Sequence, residues 1–185
     1  MRLFIAFPLE QSVTSRLAEI IADFRKLGGP IKWVEPENMH LTARFLGETT
    51  ESKVEALKQI IDTAASHAST IKSIVTEIGG FPNLHRPRVI WTGLDSNATR
   101  LVPIAAEIEK AVQQIGFTPE IKPFKPHLTL GRVRDDARIG DSLAYLLHYK
   151  LAPIPVTFDT LALIKSTLTP RGPIYEHLHD ARFSR

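Results

Sequence analysis

Asn38-Met39-His40-Leu41-Thr42-Ala43-Arg44-Phe45-Leu46-Gly47 and Pro126-His127-Leu128-Thr129-Leu130-Gly131-Arg132 are two versions of one short pattern. Each holds a His-Leu-Thr triplet in a strand-like setting, with Gly and Arg a few residues later. The triplets lie 127 − 40 = 87 residues apart. One His-x-Thr occurs by chance in many chains. Two copies in matching contexts point to a duplication. In a strand, successive side chains point to opposite faces. His40, Thr42 and Arg44 then share one face, and Met39, Leu41, Ala43 and Phe45 line the other, which suits a core. In the second copy His127 and Thr129 share a face opposite Leu128 and Leu130. Arg132 joins that face only if the strand bulges, and Gly131 is a residue at which it can. The polar faces, an imidazole beside a hydroxyl, must meet water, a partner or a ligand.

Outward from the triplets the order of elements repeats. Leu3, Ile5 and Phe7 alternate with Arg2, Phe4 and Ala6, a half-buried strand ended by Pro8. Val13, Leu17, Ile20, Ile21 and Phe24 form the stripe of an amphipathic helix, stopped by Gly28-Gly29-Pro30. Ile31 to Val34 is extended and leads into the first His strand. Val54, Leu57, Ile60, Ile61, Ala64 and Ala65 mark a second helix, Ile71 to Ile78 a strand, and Gly79 to Asn83 a turn. Then Arg88 to Gly93 takes the place of the first strand. Leu101, Ile104, Ile108, Ala111 and Ile115 mark a helix, Phe117 to Ile121 is extended, and the second His strand comes next. Ile139, Leu143, Leu146 and Leu147 mark a fourth helix, and Val156 to Ile164 one long strand. The offsets agree: Arg2 to Arg88 is 86 and Ile71 to Pro155 is 84, against 87 for the histidines. Residues 166–185 read as a loop and a last strand. A duplicated strand-helix-strand-helix-strand unit predicts one α+β domain over 1–185. Its two lobes come from the repeats 1–80 and 86–165. Helices lie outside, and antiparallel sheets face a central cleft across a pseudo-two-fold axis.

The composition fits a globular domain: 185 residues, 43% apolar and 23% charged. Without cysteine there is neither a disulfide nor a thiolate metal site. No apolar run reaches the roughly 18–20 residues of a membrane span. Residues 2–8 are too short and too lightly charged for a signal peptide, so a cytoplasmic monomer is expected. The net charge of +3 and the pI near 9.3 lean towards anionic partners.

The two triplets in tandem resemble the 2H phosphoesterase superfamily. The flanks, His40 to Gly47 and Lys125 to Arg132, are similar to its RNA 2',3'-cyclic phosphodiesterase branch, often called 2'-5' RNA ligase. Pro87 to Trp91 and Tyr175 stand where that branch has them. The resemblance covers essentially the whole chain. It implies a bilobal fold and a site without metal or other cofactor. It also implies hydrolysis of ribose 2',3'-cyclic phosphates, on RNA 3' ends or on nucleosides, to 2'-phosphates, with weak reversible 2'-5' joining of RNA ends. It makes His40 the acid and His127 the base.

The residues suit that chemistry. Opening a cyclic phosphate needs one group to take a proton from water and another to protonate the departing ribose oxygen. Histidine can do either near neutrality. Thr42 and Thr129 can donate to non-bridging oxygens, and Arg132 can add a charge-assisted contact. Lys122, Lys125, Arg134, Lys165 and Arg171 suggest, with Arg132, a path for RNA phosphates.

Other readings compete. A cleft without the reaction would make an RNA- or nucleotide-binding module, but both triplets are intact. His40 and His127 as metal ligands would make a metallohydrolase, and a small cyclic nucleotide could replace RNA. Arg44 is read either as a solvated or ion-paired side chain or as a ligand contact. Phe45 is assigned to the core by parity. His67 and His148 are read as surface residues on helices, and His85 to Arg88 as a solvated loop, with contact to RNA as the lesser alternative. His177 and His179 share a strand face. With no carboxylate in a matching pattern, they do not argue for zinc.

Overall fold

The computed structural model describes residues 1–134, 139, 141–170 and 172–184, with only the backbone of 141–143. Arg171, from the expected RNA path, and the Leu143 side chain lie outside the described residues. The strands are β1 (Arg2–Pro8), β2 (Ile31–Trp33), β3 (His40–Glu48), β4 (Ile71–Phe81), β5 (Val89–Leu94), β6 (Leu128–Val133), β7 (Ile154–Phe158), β8 (Thr160–Thr169) and β9 (Gly172–Arg182). The helices are α1 (Gln11–Lys26), α2 (Val54–His67), α3 (Leu101–Gln114) and α4 (Asp141–His148). No helix among the described residues is long and apolar enough to cross a membrane.

Two antiparallel sheets form, in the orders β3-β1-β8-β9 and β2-β6-β5-β4-β7. The fold is therefore α+β, with one His-Leu-Thr triplet at or beside a strand of each sheet. The sheets do not keep to the repeat boundaries. β4, from residues 1–80, pairs with β5 and β7 in the second sheet, while β8 pairs with β1 in the first. The single strand expected over Val156 to Ile164 is broken at Asp159, where the chain leaves the edge of one sheet and enters the other. The carbonyl of Asp159 accepts from Phe183 N–H instead of a ladder partner.

The helix stripes read from the sequence for α1, α2 and α3 mark the buried faces, whereas in the fourth stripe Ile139 precedes α4 and Leu147 is exposed. Val13, Leu17, Ile20, Ile21 and Phe24 of α1 join one continuous core with Leu57 and Ile61 of α2 and Ile104 and Ile108 of α3. Each such side chain contributes about 1.5–3 kcal/mol on burial. β1 departs from its expected half-burial. Leu3 to Phe7 are all buried, because β1 is an inner strand covered on both faces. Leu3, Ile5 and Phe7 enter the main core, whereas Phe4 and Ala6 form a small cluster with Ala162 and Ile164 on the other face. Phe117 to Ile121, expected to be extended like Ile31 to Val34, forms no strand.

Candidate active site

A cleft of about 1530 Å³ lies over the sheet faces that carry the two triplets. His40, Thr42, His127, Thr129 and Arg132 all line it. Each His strand bulges directly after its threonine. Opposite β1, Ala6 pairs with Thr42 but Ile5 with Arg44, so Ala43 is the extra residue. Opposite β5, Trp91 pairs with Thr129 but Ile90 with Gly131, so Leu130 is the extra residue. A bulge reverses the parity of the residues after it. It turns Phe45 and Arg132, each five residues after its histidine, towards the cleft. Arg132 thus joins the face of His127. Phe45 is 53% exposed rather than core, with its ring 6.0 Å from Phe4. Arg44 turns the other way and is only 8% exposed, so its expected place on the face of His40 does not hold.

Both imidazoles are held alike. His40 Nδ1 lies 2.8 Å from the carbonyl oxygen of Asn38, and His127 Nδ1 2.7 Å from that of Lys125. A carbonyl only accepts, so each Nδ1 carries the proton and each Nε2 is left for the cleft. His40 Nε2 is 3.0 Å from Thr42 Oγ1. Aromatic rings fix the two planes. Phe4 and Tyr175 flank His40 at 4.7 and 5.4 Å, and Phe81 and Trp91 flank His127 at 5.2 and 6.4 Å. Trp91 lies flat on β4 because Gly79 has no side chain. A Cβ there would fall 2.2 Å from the indole ring.

This duplicated geometry agrees with the comparisons. The family described as LigT like Phosphoesterase matches residues 7–91 and 93–175, one triplet in each segment. The chain belongs to that family.

Curated relatives extend over its full length. An RNA 2',3'-cyclic phosphodiesterase of Methanocaldococcus jannaschii is 37% identical, covering 97% of this chain and 99% of its own. One of Thermotoga maritima is 35% identical, covering 99% and 96%. Among solved structures, a Thermus thermophilus protein superposes with TM-score 0.81 at 27% identity, covering 99% of this chain and 98% of its own. Escherichia coli LigT complexed with 3'-AMP gives TM-score 0.79 at 22% identity over 100% and 98%, a likeness of fold.

In this LigT-like phosphoesterase the cleft is basic. Among the described residues Arg2, Arg86, Arg88, Lys122, Lys125 and Arg132 line it, against one acid, Glu120, which is paired with Arg44 in the wall. Of the basic residues expected along an RNA path, Lys122, Lys125 and Arg132 line the cleft. Arg134 and Lys165 are not in the lining, and Lys165 is paired with Glu176 at 3.0 Å. The solvated loop expected at His85 to Arg88 is found, and from it the exposed Arg86 and Arg88 also line the cleft. Sequence reasoning does not place Arg2, Phe4 and Phe81 in the cleft, and it assigns Phe45 to the core, yet all four line it. The five consecutive apolar residues Leu3 to Phe7 were the available sign that β1 is covered on both faces.

Burial between Phe4 and Tyr175 is the main cause that lowers the His40 pKa to about 4. The hydrogen bond to Asn38 opposes the shift, and the nearby His177 adds to it. His40 is therefore neutral at pH 7 in the empty cleft. Tyr175 is shifted up by burial, partly offset by Arg132 and Arg2. His177 and His179 do not share a face, because Leu178 is a bulge residue between them. His177 lies 2.8 Å from Asp180, and His179 reaches Asp62 of α2 at 2.7 Å.

Proposed function

We propose that the protein hydrolyses RNA 2',3'-cyclic phosphate ends to 2'-phosphates, using His40 and His127 as its acid and base. The observation that carries this reading is the matched pair of imidazoles. Each is fixed through Nδ1 to the carbonyl two residues back, with a threonine two residues on lining the same cleft, and His40 Nε2 lies 3.0 Å from the Thr42 hydroxyl. The names of the full-length relatives support the substrate class.

In the reaction, water attacks phosphorus opposite the bond to O3'. His127 Nε2 takes the water proton as the new P–O bond forms. The P–O3' bond breaks, and His40 Nε2–H protonates O3' to a free hydroxyl. Thr42 and Thr129 donate to the non-bridging oxygens, where negative charge grows. Arg132, on the same face after its bulge, adds a charge-assisted donor. Phe45 offers its exposed ring to the base. Acid, base and phosphate donors are all side chains, so no step calls for a metal ion. With the 5'-hydroxyl of a second RNA in place of water, the same proton transfers join ends through a 2'-5' linkage.

His40 must gain a proton to act as the acid. The arriving phosphate anion favours that protonated form, because an opposite charge at contact distance raises a histidine pKa. The low pKa in the empty cleft favours the reverse order, with His40 as base. A substrate with a sulfur leaving group separates the two orders.

The test is incubation of an oligoribonucleotide ending in a 2',3'-cyclic phosphate with excess EDTA, and then identification of the end group. The expected product is a 2'-phosphate, formed at the rate seen without chelator. Activity lost to EDTA and restored by zinc or manganese would defeat the reading. A bound but unchanged oligonucleotide would favour the binding module.

A further inference from the structure

The two sheets treat the outer side of their His strands differently. In the second sheet β2 pairs with β6, from Ile31–Val133 to Trp33–Gly131, and flanking bonds join Val34 N–H to the Leu130 carbonyl and Arg134 N–H to that of Pro30. Gly131, four residues after His127, permits this approach, since a Cβ there would lie 2.8 Å from the Trp33 ring. The matching segment beside the first sheet, residues 117–127, makes no ladder with the edge strand β3. Pro119, Pro123 and Pro126 lack the N–H groups a ladder needs.

Arg44, four residues after His40, stands where Gly131 stands in the other half. The bulge at Ala43 turns its guanidinium into the wall beneath residues 118–125. There it donates to the Thr118 carbonyl and, at 2.5 Å, to the Phe45 carbonyl. It also pairs with Glu120 at 3.2 Å and contacts Glu109 of α3. Glu109 in turn accepts from Glu120 N–H at 2.8 Å. Burial alone would raise the Glu109 carboxyl. The bonds from Glu120 N–H and Gln113, with the Arg44 charge, outweigh it and hold the group below its ordinary value. A side-chain knot thus replaces the missing ladder. The segment it holds carries Lys122 and Lys125 into the cleft and leads directly to His127.

We infer that Arg44 is a positioning residue for substrate length. By latching residues 118–125 to β3 it sets Lys122 and Lys125 to receive phosphates of the RNA chain beyond the cyclic end, without itself meeting the substrate. This rests on the proposed RNA activity. The latch matters little for a 2',3'-cyclic mononucleotide, which has no further phosphate.

The test uses Arg44→Lys and Glu120→Gln in the full chain, the second being a mild change at a partly exposed carboxylate. Lysine keeps the charge but cannot serve four acceptors in one plane. Steady-state kinetics are compared for a cyclic mononucleotide and for a cyclic-ended oligonucleotide. Both variants should raise KM for the oligonucleotide about tenfold, with kcat and the mononucleotide constants within about twofold. The log–log salt slope for oligonucleotide binding should fall by about 0.7 for each lysine that no longer meets a phosphate. Equal losses on both substrates, or unchanged oligonucleotide KM and salt slope in a folded Glu120→Gln, would overturn the inference. If the wild type turns over neither substrate, the proposed activity fails by itself. The latch is then read from the salt slope for a phosphate-ended oligonucleotide, where an unchanged slope in both variants overturns it.

Discussion

Replacing either His40 or His127 by alanine is expected to cost more than the roughly 10²–10⁴-fold of an isolated acid or base, because in the proposed reaction the two act in one concerted transfer. Adding the second replacement should then cost little more. The same pair predicts a bell-shaped pH profile whose limbs belong to the coupled pair. The limb linked to His40 should lie at higher pH in kcat than in kcat/KM. The first reports the enzyme with phosphate anion in place, the second the empty cleft, where His40 titrates near 4. Steady-state rates from pH 4 to 9 check both points. Full additivity of the two losses, or coincident limbs, would oppose a shared site. Stability carries the same sign. A neutral, buried His40 favours the fold above its unfolded value of about 6.5, and that contribution declines as pH falls from there towards 4.

Thr42→Val and Thr129→Val should each slow turnover by about 10²–10³-fold, the usual worth of one donor aimed at transition-state charge. Both threonines are half-buried at the cleft wall, and valine nearly keeps their volume, so thermal unfolding should shift little. The effect should fall on kcat, since in the proposed reaction the two hydroxyls donate to charge that develops in the transition state. Thr42→Val has a second consequence, because Thr42 Oγ1 also meets His40 Nε2 at 3.0 Å. Its pH profile should therefore move where that of Thr129→Val does not. Wild-type kcat in both variants would refute the donor role.

That the two histidines and two threonines meet at one cleft is legible in the sequence because the triplet is written twice. Repetition supplies the signal that one His-x-Thr lacks. The helix stripes were legible for an equally simple reason, since a 3.6-residue period marks a buried face wherever the helix packs. The bulges at Ala43 and Leu130 were not located. Neither residue carries a backbone peculiarity, and strict alternation placed Arg44 in the cleft and Phe45 in the core. Gly131 had hinted at a bulge beside the second triplet, and the hint held for Arg132. The exchange of β4 and β8 between sheets was illegible for a different reason. Alternation along a strand reports which face is buried, not which strand lies beside it. The latch at Arg44 depends on both, since it needs the reversed parity of β3 and an edge that no strand covers.

The central claim is that one histidine protonates the departing 3'-oxygen while the other activates water. A substrate with sulfur in place of that oxygen tests it most directly, because a thiolate leaves with little need of a proton. Single-turnover rates of His40→Ala and His127→Ala on the 3'-thio and 3'-oxy cyclic substrates give the comparison. The 3'-thio substrate is expected to restore His40→Ala largely and to leave His127→Ala impaired. Restoration of His127→Ala alone would reverse the two roles, and restoration of neither would contradict acid–base catalysis by this pair.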